Sequence, residues 1–154
     1  MELDGLRMDN ITITRVPGTV MNVNSYVVET ADAAVVIDGM LTVSDAKAVR
    51  AHLDDRGKPL LGLVVTHAHP DHYAGAFEML RGRSDVPILS TAAVKAAIER
   101  DDAIKNGIVG PMMGSEWPET RRFPDRVVSD AVQLGALTLR VDDLGPAESP
   151  ADSV

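Results

Sequence analysis

The sequence predicts one α+β domain, a mixed β-sheet with covering helices, and three features carry that expectation. Short β-rich runs crowd the first third, a continuous apolar run fills residues 60–65, and one-faced apolar helices alternate with strands after it. At 154 residues the chain has room for one sizeable core and is too short for two ordinary domains. Hydrophobic residues make up 45% and charged residues 25%, the balance of a globular protein. Aromatics are only 3%, so Val, Leu, Ile, Ala and Met must build the core, which suits a buried sheet under helices.

Taken in order, Ile11-Thr12-Ile13-Thr14 alternates, Ser25-Tyr26-Val27-Val28 is β-rich and Ala34-Val35-Val36-Ile37 is a short apolar run. Pro17-Gly18 and Asp38-Gly39 supply turns between and after them. A helix follows, capped by Ser44, with Ala46, Val49 and Leu53 on one face and an end before Gly57. Residues 60–65 read as a strand buried on both faces. A helix over residues 73–80 stops near Gly82, and residues 86–89 form another strand. Thr91 caps a longer helix whose face carries Val94, Ala97, Ile98 and Ile104, with Gly107 as its stop. Residues 108–125 read as a Gly/Pro-punctuated loop, and residues 127–133 and 136–141 as a hairpin around Leu134-Gly135.

Charge and composition then exclude several functions. A net charge of -8 disfavours nucleic acid and anionic membranes, both of which are bound through clustered Lys and Arg. No stretch approaches the roughly 20 apolar residues of a spanning helix. The start Met1-Glu2-Leu3-Asp4 lacks a basic region before an apolar run, and a cytoplasmic protein is expected. With no cysteine, any metal must be held by imidazole and oxygen.

Three of the four histidines fall within Thr66-His67-Ala68-His69-Pro70-Asp71-His72, directly after the buried strand. In an extended segment residues two apart project to one side, so His67 and His69 can share an ion. Pro70 then turns the chain so that Asp71 and His72 can face a second one. Neutral imidazole and carboxylate are ligands that zinc accepts, at roughly 2.0–2.2 Å per ligand atom. A polar surface turn has no need of three imidazoles behind a buried strand, and a purification tag would be terminal and unbroken.

The motif His-x-His-x-Asp-His at a strand's end resembles the signature of the metallo-β-lactamase superfamily. The approach is similar too: Asn24-Ser25-Tyr26-Val27-Val28, Val36-Ile37-Asp38-Gly39 and Leu63-Val64-Val65-Thr66 look like that family's early strands in order. The resemblance implies an αββα sandwich, here its first half, and a hydrolase of a small-molecule substrate that uses a metal-activated water. It implies one or two zinc ions, Fe2+ or Mn2+ being possible substitutes, with His67 and His69 on the first metal and Asp71 and His72 on the second. Asp71 would be the catalytic residue that positions the water or accepts its proton. Asp38 would be a buried residue orienting the ligands, although a strand-end Asx turn explains it equally well.

Two departures accompany the likeness. Where the family carries a further histidine, this chain has Leu144-Gly145-Pro146-Ala147-Glu148-Ser149. Glu148 is the expected replacement ligand, with a solvated loop acid the equal alternative, and two His with one carboxylate also suits non-haem iron. An iron-dependent oxygenase and a non-catalytic metal-binding half-domain are therefore the rival functions. The sequence also stops at Val154, before the family's second half, so residues 1–154 read as one partial domain. The uncovered sheet face implies a partner, either a second copy in a two-fold homodimer or a separate C-terminal half. In the loop over residues 108–125, Met112, Met113 and Trp117 are candidate apolar contacts to substrate and Arg121 and Arg122 anionic ones, although a plain surface loop is the simpler reading.

Overall fold

Alternating short strands with tight turns fold into an antiparallel meander, and the computed structural model, which describes residues 5–146, places that meander first. Strands β1 (Gly5–Met8), β2 (Ile11–Pro17), β3 (Asn24–Glu29) and β4 (Ala34–Ile37) pair in chain order. From β5 to β7 each strand is preceded by helix, and a helical crossover returns the chain in parallel. Helix α1 (Val43–Arg56) precedes β5 (Leu60–Val64). The short helices α2 (Pro70–Tyr73) and α3 (Ala76–Met79) precede β6 (Ile88–Ser90). Helix α4 (Ala92–Met113) and a 3₁₀ turn (Gly114–Glu116) precede β7 (Arg126–Val127). The result is one mixed sheet of seven strands in the order β1 to β7, plus a separate hairpin of β8 (Ala131–Leu134) and β9 (Leu137–Arg140).

The apolar run at β5 is covered on both sides, as its composition requires. Leu63 joins Val36, Ile88, Val49, Met79 and Ile98 in the core under the helices. Leu61 and Val64 pack on the other side with Val35, Leu89, Val132, Leu134 and Leu137, so the hairpin covers that face. The open inner face expected from the sequence is thus closed in part. Leu6, Met8 and Tyr26 share it through their cross-strand partners Ile13, Ile11 and Ile37, and remain 57%, 61% and 38% exposed.

Several boundaries differ from the sequence reading, each for a local reason. The cap of α1 is Thr42, whose hydroxyl accepts from the Asp45 N–H at 3.0 Å, while Ser44 binds the Glu116 carboxylate. The single helix expected over residues 73–80 is two short ones, because Gly75 turns against the Gly39 and Met40 carbonyls. Helix α4 passes through Gly107 and ends at Gly114, whose φ is +55°. One glycine costs a helix about 1 kcal/mol, and the last turns recover contacts as Val109 and Met113 pack on Leu41, Ala74 and Trp117. Ile104 lies on the outer face at 64% exposure, not in the core. Residues 108–113 are consequently helix rather than loop. The expected first hairpin strand is two elements, since β7 joins the parallel sheet and β8 starts afresh at Ala131. Strand β1 had no sequence reading.

Candidate metal centre

Parallel neighbours β4 and β5 end at the same edge, with Ile37 paired to Val64 and the Asp38 N–H donating to Val64 O at 2.8 Å. That register brings Asp38 to the segment that follows β5. Asp38 takes φ +66°, and its carboxylate accepts from the Thr66 N–H at 2.9 Å and from the Thr66 hydroxyl at 2.9 and 3.0 Å. The buried Asp38 is therefore more than a turn residue: it pins the strand end from which His67 projects.

The three motif imidazoles gather beside it. The ring centroids of His67 and His72 lie 3.9 Å apart, and those of His67 and His69 4.9 Å. His69 sits in extended backbone just ahead of α2, and Pro70 opens that helix. The turn brings the His72 ring back beside His67 and sets Asp71 against His72, whereas the sequence reading has both facing a second metal. His72 Nδ1 lies 2.7 Å from Asp38 Oδ2, off the line of a straight hydrogen bond, and His72 Nε2 lies 3.2 Å from Asp71 Oδ2. The ring is held between two carboxylates.

Those contacts set the charges. Burial, reinforced by the neighbouring His72, keeps the His67 pKa below its ordinary value, so the ring is an uncharged donor at neutral pH. At His72 burial opposes the charge but is outweighed by Asp38 and Asp71, which raise its pKa to about 9. At Asp71 burial works upward and is outweighed by His72, leaving the carboxyl below its usual range. Two carboxylates thus enclose a positive charge where a metal cation would be welcome.

In kind and neighbourhood these residues fit a zinc ion. Their side chains are not set as a finished coordination shell, for among the described residues no three or more His, Asp or Glu groups could hold one ion as they stand. Asp71 instead points at His72. Shared coordination would have to replace that ion pair, which is how metal binding displaces protons from its ligands. Glu148 lies outside the described residues, and His52 stands apart on α1, half-buried.

A cleft of about 500 Å³ opens onto Asp71 and is otherwise lined by the β2–β3 turn, Gly18, Thr19, Val20, Met21 and Asn22. Of the substrate contacts suggested for residues 108–125, Met112 is 79% exposed and Met113 packs on Trp117, while the other three are differently employed. Trp117 is buried and donates to Asn106 Oδ1 at 2.6 Å. Arg121 stacks on it at 4.4 Å and pairs with Asp102 at 3.3 Å, while Arg122 donates to the Arg83, Ser84 and Val86 carbonyls. Sequence reasoning passed over Thr66, Lys105 and the β2–β3 turn, whose roles depend on tertiary contacts that no local pattern announces.

The mixed sheet with its covering helices defines the fold, and comparison identifies the class. The family model of the metallo-beta-lactamase superfamily matches residues 18–145, and the chain belongs to that superfamily. A metallo-beta-lactamase from Pontibacter korlensis superposes with a TM-score of 0.65 at 19% identity, over 99% of this chain and 65% of that one. BLEG-1 B3 metallo-beta-lactamase gives 0.69 at 22% identity, over 91% and 64%. A beta-lactamase domain protein from Burkholderia ambifaria gives 0.64 at 22% identity, over 97% and 50%. The chain spans between half and two thirds of these structures, and the likeness is one of fold. No curated protein matches it. Among the described residues no helix is long and apolar enough to cross a membrane.

Proposed function

We propose that the chain is a metal-dependent hydrolase acting on a small-molecule substrate, with zinc held by His67, His69, Asp71 and His72. The observation that carries this reading is the packing of three imidazoles at one sheet edge, His67 lying 3.9 and 4.9 Å from its two partners, beside two carboxylates. Bound there, the ion would supply Lewis acidity and a water acidic enough to ionise near neutral pH.

The chain's own groups do the rest. His67 offers a neutral ring nitrogen, and its Nδ1 stands 3.1 Å from the Thr66 hydroxyl, which fixes the ring's orientation. Asp38 steadies His72 from behind. Asp71, at the mouth of the cleft, is the group to orient an attacking water and take its proton as the water adds to a carbonyl, ester or phosphoryl centre. Glu148 is proposed as a further ligand. The test is turnover of ester, thioester, lactam and phosphodiester substrates by zinc-loaded protein, with Asp71→Asn as control. Hydrolysis lost in that variant supports the reading, and no turnover of any class by the zinc-bound wild type removes it.

A second reading, a non-catalytic metal-binding module, is favoured by the engagement of Asp71, the group that would handle the water, with His72 at 3.2 Å. It predicts stoichiometric zinc with no turnover. Iron at near-stoichiometric level in protein purified without added metal would favour oxygenase chemistry instead.

A further inference from the structure

Lys105 projects from the middle of α4 toward the metal motif, and its ammonium donates to the Ala68 carbonyl at 2.5 Å. Ala68 is buried between His67 and His69, in a segment that follows β5 without strand pairing of its own. The rest of that segment is tied at its two ends. The Thr66 N–H binds Asp38 at 2.9 Å, and the His69 carbonyl accepts from the His72 N–H at 3.0 Å. Lys105 supplies the tie in between. The lysine is itself braced: its Nζ lies 6.0 Å from the centre of the Tyr73 ring, and the Tyr73 hydroxyl donates to Asp102, one helical turn back on α4, at 2.9 Å. Tyr73 is fully buried and Asp102 nearly so, so helix and motif are joined by one buried polar contact and one half-buried one.

We infer that Lys105 is a positioning residue, which holds the Ala68 carbonyl so that His67 and His69 present their rings together to a metal ion. The inference rests on the metal reading proposed above. His67, Ala68 and His69 lie in a bend rather than in the extended segment expected from the sequence, so no strand geometry fixes the 4.9 Å approach of the two rings, and Ala68 O is the handle on the peptide between them. The charge of Lys105 separates this role from a purely electrostatic one. A cation close to a dication repels it, so by charge alone removing the ammonium would tighten zinc binding. Positioning predicts the opposite sign, because outer contacts of ligating residues are worth about 10- to 100-fold in affinity.

The experiment is calorimetric zinc titration of wild type, Lys105→Met and Lys105→Arg, with cobalt(II) absorption spectra as a readout of ligand geometry and circular dichroism as a check of fold. Lys105→Met should bind zinc at least about ten-fold more weakly with an altered cobalt spectrum, and Lys105→Arg, which can still donate to the carbonyl, should recover both. Should Lys105→Met not fold, Lys105→Gln is read in its place, since its shorter side chain falls short of Ala68 and weaker binding is expected. Unchanged or tighter zinc binding in the folded variant, with wild type binding zinc, overturns the role of Lys105 and leaves the metal site standing. Absence of zinc binding by wild type overturns the metal reading itself, and this inference with it.

Discussion

Asp38 shows how much one side chain can decide at this site. Its carboxylate holds Thr66 through three contacts and His72 through a fourth, so Asp38→Ala is expected to weaken zinc binding by about ten-fold or more. Titration calorimetry reads that loss, and an unchanged affinity would return Asp38 to being a turn residue. The motif around His67 was legible in the sequence because its spacing is local. Asp38 was legible only through the family likeness, which left a supporting role and a turn equally open, since its meeting with Thr66, 28 positions on, depends on the parallel register of β4 and β5. Glu29 makes a second residue-scale case. It is buried, and although burial works to raise its pKa, hydrogen bonds from Arg56 and Lys58 outweigh burial and lower it. A depressed folded pKa adds stability above the unfolded value and loses it as pH falls through the folded one. Wild type should therefore exceed Glu29→Gln by about 2 kcal/mol near neutral pH. That difference should shrink below about pH 4, as urea melts across the acid range would show.

Among the elements, helix ends separate what local chemistry fixes from what packing decides. Thr91 caps α4 and Gly57 closes α1 with φ +63°, both as the sequence indicates. Gly107 reads as a stop but is passed, because the decisive contacts of Val109 and Met113 are made with Trp117, Leu41 and Ala74, which no local window contains. Gly75 reads as part of a helix but separates two, because a Cβ there would come within 2.5 Å of the Gly39 carbonyl and 2.9 Å of Ala46. The two glycines should respond oppositely to alanine. Gly75→Ala is expected to cost about 1–3 kcal/mol by forcing α2 and α3 from the strand end that carries Asp38. At Gly107 an added Cβ meets open space in a helix interior, and alanine should stabilise by about 0.5–1 kcal/mol. Denaturant melts of the two variants measure both, and shifts of the same sign would contradict the account.

Across the whole molecule, the sheet's helix-free face is half-finished. The hairpin β8–β9 covers Val35, Leu61, Val64 and Leu89, while Leu6, Met8 and Tyr26 stay open to solvent on the same face. The aliphatic composition and the strand-helix alternation made the layers legible, but not the hairpin's docking, which depends on contacts such as Gly135 against Leu61. We expect a second copy to cover the open part in a two-fold dimer, closed two-fold pairing being the commonest solution. Light scattering at micromolar concentration should report twice the chain mass, and a well-folded monomer would contradict that. The central claim is nevertheless the metal centre, and zinc titration by calorimetry of wild type beside His67→Ala, His69→Ala and His52→Ala tests it most directly. The account predicts that wild type and His52→Ala bind alike and that either motif variant loses most of the affinity. Equal affinities in all four proteins, or no zinc bound by wild type, would contradict it.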